Sequence, residues 1–234
     1  MDHPLPSYWN QIVFGFRDSV VIIGDMQGTG FLIGSKDRRR LILTCCHVVA
    51  GSAYKAKLRD EYLVQVCITG YGLCSGQILL ADDERDVALI VVTTDCDGLP
   101  MIELPNLELS DRVVKKDMEL VMLGYIFMPK GVIKEPGTSY GKSKASMYHN
   151  SLVGCDILPV SYVSTPGTSG APVFLVQKGS SPEVIGMHAG RVQGTQYCIP
   201  MPVIEESLRQ LSTKKGLSIP EMIEKILSAV CRRK

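Results

Sequence analysis

Residues 164–174 read STPGTSGAPVF. Glycines and prolines surround two serines and two threonines, and the run leads straight into an apolar, strand-like segment. Glycine supplies backbone conformations that side chains resist, so such a cluster marks a tight turn. Two readings follow. The turn aims Ser169 at something, or it is an ordinary hairpin loop.

Two further segments decide what Ser169 could meet. LILTCCHVVAG (41–51) puts His47 at the end of an apolar strand, and DERDVALIVV (83–92) puts Asp86 just before another. A serine hydroxyl is a poor nucleophile until a base takes its proton. An imidazole is a usable base when a carboxylate holds it in one tautomer. The chain offers one candidate for each role, in the order His47, Asp86, Ser169, each at a strand end. Asp82, Asp83 and Glu84 compete with Asp86 on sequence alone. The hairpin reading accounts for the glycines but not for this combination.

About a dozen short β-rich runs, from QIVFGF (11–16) through SLVGCDILPV (151–160) to QYCIPM (196–201), are separated by Gly, Asp, Ser and Pro. With no helical pattern between them, they predict an all-β sandwich or barrel. The end of the chain differs. Residues 202–212 carry apolar side chains at helical spacing, and residues 217–233 open with Ser218 and Glu221 at capping-box spacing, so one or two C-terminal helices are expected. The longest stretch without a pattern, 127–150, is a candidate mobile loop.

Composition sets the bounds. The 234 residues are 45% apolar and 21% charged, enough for a sizeable core, and the net charge is +1. That balance disfavours nucleic acid as a partner, although KDRRR (36–40) and Lys130, Lys134, Lys142 and Lys144 form local basic clusters that read as a solvated turn and loop. The start of the chain lacks the apolar region of a signal peptide, and no run is long enough to span a bilayer. Cysteines 45, 46, 67, 74, 96, 155, 198 and 231 lie mostly in apolar runs, without disulfide-framework or C-x-x-C spacing. Free buried thiols and a reducing compartment such as the cytoplasm are expected. No metal or other cofactor is expected.

Taken together, the three segments resemble those of chymotrypsin-fold serine endopeptidases. GTGFLIG (28–34) and LILTCCHVV (41–49) resemble the strand and Thr-x-x-His motif of HtrA-like and viral members. RDVALIVV (85–92) is similar to their Asp-x-Ala-Leu motif, and PGTSGAPV (166–173) to their Gly-x-Ser-Gly-x-Pro motif. EVIGMHAG (183–190) resembles the following strand of the viral 3C-like enzymes. The resemblance implies two six-stranded antiparallel β-barrels with the site between them: residues 1–105, then 106–203, then a helical extension over 204–234. It implies a triad of His47, Asp86 and Ser169, an oxyanion site over Gly167, Thr168 and Ser169, and a pocket for the substrate side chain before the cut (P1) lined by Ser164, His188 and Gly190.

The family's activation switch is absent in both halves. Its pre-serine aspartate is Thr168 here, and no matching Ile-Val-Gly-Gly N-terminus occurs. Val48 replaces the cysteine that follows the histidine in secreted relatives.

The matching pocket positions imply cleavage after Gln or Glu. A protonated His188 would favour Glu and shift the Gln-to-Glu ratio as pH falls through ~6–7. Three functions stay open: a viral enzyme processing its own polyprotein, a cellular HtrA-like protease with small apolar P1 preference, and a catalytically silent barrel that binds peptide or RNA.

Overall fold

The computed structural model describes residues 6–24, 28–50, 63–68, 72–93, 104–128, 131–132, 135–211 and 216–231. The first six strands are β1 (Val20–Ile23), β2 (Gly28–Lys36), β3 (Arg39–Thr44), β4 (Leu63–Ile68), β5 (Gly72–Asp82) and β6 (Val87–Thr93). They close an antiparallel barrel in the order β1-β2-β3-β6-β5-β4. β6 is buried on both faces and so reads as an unbroken apolar run. β5 alternates exposed and buried residues along much of its length because its outer face meets solvent.

The second sheet draws on β7 (Glu119–Gly124), β10 (Gly137–Lys142), β11 (Tyr148–Asn150), β12 (Cys155–Val160), β13 (Pro172–Leu175), β14 (Glu183–Val192) and β15 (Thr195–Pro200). Its order is β10-β7-β13-β14-β15-β12-β11. A bridge between Ser143 and Val160 brings the end of β10 back against β12, so six strands curl round and β11 is left outside. Leu120 and Met122 of β7 face this sheet's own core, and Val121 and Leu123 join the larger core shared with the first barrel. The short pair β8 (Phe127–Met128) and β9 (Gly131–Val132) forms a separate hairpin. Residues between the two sheets are tied to both: the Leu107 N–H donates to the Leu32 carbonyl, and the Ser110 N–H to the Val184 carbonyl.

The all-β expectation with C-terminal helices holds. α3 (Met201–Arg209) follows β15, and α4 (Ile219–Cys231) lays Ile219, Met222, Ile223, Ile226 and Leu227 on the first barrel, against β2 and β3. The spacing of Ser218 and Glu221 works as expected: the Ser218 N–H and Oγ–H both donate to Glu221 Oε2 at 2.7 Å.

Three expectations need correction. QIVFGF is not a strand. It belongs to α1 (Pro6–Phe14) and the turn after it, where Trp9 and Val13 are buried four residues apart on one helical face. Trp9 Nε1–H donates to Glu119 Oε2 at 3.0 Å, a tertiary anchor that overrides local strand propensity. SLVGCDILPV becomes a strand only from Cys155, after a turn. The stretch 127–150 contains β8, β9, β10 and β11; β10 is stabilised by pairing with β7, a partner its own Gly- and Ser-rich sequence does not disclose.

Candidate active site

His47 stands in the first turn of a helix, α2 (46–50), rather than on the strand that ends at Thr44. The turn 83–86 brings Asp86 beneath it. The Asp86 carboxylate accepts from the His47 backbone N–H at 2.9 Å, and its two oxygens lie 3.0 and 2.8 Å from His47 Nδ1. Asp86 has a φ of +55°, a left-handed conformation that aspartate tolerates better than most residues and that holds a modest strain at this point. The Asp86 hydrogen bond raises the His47 pKa above 6.5, against partial desolvation.

The competing acids have other work. Asp82 is buried and accepts from Ser207 Oγ at 2.7 Å, Gln210 Nε2 at 2.9 Å and the Arg85 backbone at 3.2 Å. Arg85 also reaches Glu206 at 2.7 Å. Helix α3 thus clamps the turn that carries Asp86. Asp83 and Glu84 are exposed.

Ser169 occupies the predicted turn. Gly170 has φ +85°, and a Cβ there would lie 2.0 Å from the Thr29 carbonyl oxygen and 2.4 Å from Thr44 Oγ1, so glycine is required twice over. The turn is held from the first barrel. The Thr29 N–H donates to the Ser169 carbonyl at 2.8 Å, and Thr29 Oγ1–H to the Gly167 carbonyl at 2.6 Å. Thr44 Oγ1–H in turn donates to the Thr29 carbonyl. GTGF was visible as a motif, but Thr29's bracing role was not. Ser169 Oγ makes a long, 3.5 Å bond to the Ala189 carbonyl, and among the described residues it makes none to His47. Such bonds commonly form only once substrate closes the site.

The three residues of the expected oxyanion site do not behave alike. The Thr168 N–H is taken by the Thr165 carbonyl at 3.2 Å, so it is not a donor to substrate. The Gly167 and Ser169 N–H groups meet no protein acceptor among the described residues. The Pro166 carbonyl accepts from the Phe127 N–H, which turns the opposite end of that peptide, the Gly167 N–H, away from Phe127.

Cys45 Sγ, His47 and Asp86 offer donor atoms within 4.8 Å of one another. Burial and the Asp86 charge push the Cys45 thiol well above its ordinary range, so it stays protonated, and the thiol form is a poor metal ligand. Its S–H lies 3.4 Å from the His188 carbonyl.

The expected P1 pocket residues lie along β14 and the segment before Ser169. His188 is 1% exposed, and its Nδ1 lies 3.2 Å from Tyr162 Oη. Burial lowers its pKa to about 4, outweighing a nearby Tyr197 carbonyl. His188 is therefore neutral across pH 6–7, and the expected pH-dependent switch between Gln and Glu does not operate through it. Ser164 and Gly190 are half-buried. The Ser164 hydroxyl sits 2.7 Å from the side-chain amide of Gln196, a residue not foreseen from sequence.

The trypsin-like peptidase domain family matches residues 28–187, more than half of the chain. No curated protein matches. Among solved structures, the active form of the Rv3671c protease from M. tuberculosis aligns with TM-score 0.64 at 21% identity, covering 93% of this chain and 91% of that one. The HtrA-type protease AlgW with tripeptide aligns with TM-score 0.64 at 18% identity over 90% of this chain and 64% of that one. A serine endoprotease from Yersinia pestis gives 0.61 at 16% identity, over 90% and 68%. At these identities the structural likeness concerns the fold. With the family match and the barrel architecture, the chain belongs to the trypsin-like peptidase domain family and is a serine endopeptidase.

Proposed function

We propose that this chain hydrolyses peptide bonds with Ser169 as nucleophile, His47 as general base and Asp86 as the carboxylate that orients it. The observation that carries this reading is the His47 Nδ1–Asp86 pair at 2.8 Å on the first barrel, which also holds the Ser169 turn through the Thr29 N–H. His47 Nε2 takes the Ser169 proton as Oγ bonds to the scissile carbonyl carbon. The resulting oxyanion is received by the Gly167 and Ser169 N–H groups, preorganised donors whose removal typically costs ~3–4 kcal/mol of barrier. The C–N bond then breaks, and the leaving amine takes the proton from His47. Water, activated by the same imidazole, hydrolyses the acyl-enzyme.

Of the settings considered from sequence, the cellular HtrA-like one has the better support, since HtrA-type proteases stand among the structural neighbours; that likeness concerns the fold and leaves the P1 preference to the pocket itself. Processing of a viral polyprotein has no such support. The substrate is a polypeptide, and the free thiols of Cys45, Cys46, Cys155 and Cys198 favour a reducing compartment. A fluorophosphonate probe tests the catalytic reading. Labelling that disappears in Ser169→Ala is expected; labelling that persists in that variant would overturn the assignment.

A further inference from the structure

Arg191 and Gln196 face each other across the β14–β15 ladder, just past a bulge between His188 and Gly190. The Gln196 side chain is buried and spans from the guanidinium to Ser164. With its oxygen toward Arg191, the amide accepts from Nη2 at 3.0 Å and Nε at 3.2 Å. Its NH₂ then donates to Ser164 Oγ at 2.7 Å and to the Gly190 carbonyl at 3.1 Å. The opposite orientation would press amide protons against guanidinium protons. An arginine fork has no acceptor, so it dictates which way the amide points.

That orientation decides what Ser164 can do. A hydroxyl has one proton. If Ser164 donated to Gln196, it would present only lone pairs to substrate. Gln196 donates to it instead; the amide oxygen also lies 3.1 Å from Ser164 Oγ, but its two lone pairs face the Arg191 fork, so the hydroxyl proton is left to donate to substrate. His188, on the same strand as Arg191, is neutral with Nδ1 engaged by Tyr162, so the positive charge in these contacts belongs to Arg191.

Building on the proposed site, we infer that Arg191 and Gln196 are specificity-determining residues: they turn the Ser164 hydroxyl into a donor for an acceptor-bearing P1 side chain, Gln or Glu, with Arg191's charge favouring Glu. A pocket arranged around such a donor rejects side chains that leave it unpaired.

Peptides identical except at P1 (Glu, Gln, Val, Lys) test this with the whole chain. Wild type should favour Glu and Gln over Val and Lys by at least ~10²-fold in kcat/KM, with Glu ahead of Gln. Arg191→Met, at an exposed position that folding tolerates, should lower the Glu-to-Val ratio at least ~10-fold and remove the lead of Glu over Gln. In Gln196→Glu the new carboxylate accepts from both Arg191 and Ser164. It consumes the hydroxyl proton, so both acceptor-to-Val ratios should fall at least ~10-fold, that for Glu further. If Gln196→Glu does not fold, Arg191→Met carries the test alone. Val as the best P1 residue in wild type would overturn the inference, as would variant ratios within about threefold of wild type. Probe labelling of wild-type Ser169 separates the two failures: labelled enzyme with an apolar preference sinks this inference alone, whereas Ser169-independent labelling sinks the catalytic reading beneath it.

Discussion

In the proposed mechanism Ser169 and His47 act through one proton, so removing either should cost about as much as removing both. Ser169→Ala and His47→Ala are each expected to lose on the order of 10⁴-fold or more in kcat with a peptide substrate, measured by active-site-titrated kinetics. The His47–Asp86 bond also sets the pH profile. Activity needs the unprotonated imidazole, and Asp86 holds the His47 pKa above 6.5, so kcat/KM should rise with pH along a limb centred above ~6.5. Asp86→Asn removes the carboxylate that raises this pKa. Proton NMR of His47 in the Ser169→Ala background should show its titration move to lower pH in the Asp86→Asn variant. The same raised pKa stabilises the fold below the unfolded-state value of 6.5, and that contribution is lost as pH rises through the folded-state value. At the turn itself, Gly170→Ala asks a side chain to occupy space 2.0 Å from a carbonyl oxygen at φ +85°, and should abolish activity through displacement of the turn.

Between elements, the two C-terminal helices support the first barrel in different ways. Helix α3 supplies Ser207, and Gln210 lies just beyond its end, both donating to Asp82; Asp82→Ala would strand these donors and free the 83–86 turn. A loss of ~2–4 kcal/mol of stability is expected by denaturant titration, together with a lowered kcat because Asp86 rides on that turn. Helix α4 acts by packing. Ile223 Cγ2 would lie 2.4 Å from a Cβ on Gly34, so the helix sits directly on the β2 backbone. Ile223→Ala should cost ~2 kcal/mol and lower Tm by about 4–8 °C while leaving kcat near wild type, because α4 touches none of the proposed catalytic groups.

Across the whole molecule, the thiols report on packing. Among the described residues, Cys45, Cys46, Cys67, Cys155, Cys198 and Cys231 are free, and Cys96 lies outside them. Titration of the denatured, unreduced protein should find most of the eight thiols reactive. The native protein should react slowly at Cys46, which burial and nearby acids raise to about 11, and at Cys198, pushed higher still by burial. Three or four disulfides in the denatured sample would overturn the proposed reducing compartment.

Much was legible locally. The apolar runs, the Gly167–Gly170 turn, the order of His47, Asp86 and Ser169, and the Ser218–Glu221 cap are short-range patterns, and the forces behind them act within a few residues. What the sequence could not decide was which acid turns toward His47, that QIVFGF belongs to a helix, which N–H groups stay free for an oxyanion, and what stands behind Ser164. Each depends on contacts between distant positions. Trp9 meets Glu119 at a separation of 110 residues, Thr29 meets Gly167 at 138, and Asp82 meets Gln210 at 128. Closing the barrel and setting the β14–β15 register bring those groups within hydrogen-bonding distance, and only there does burial make each unmade bond costly enough to select one partner over its neighbours in the chain.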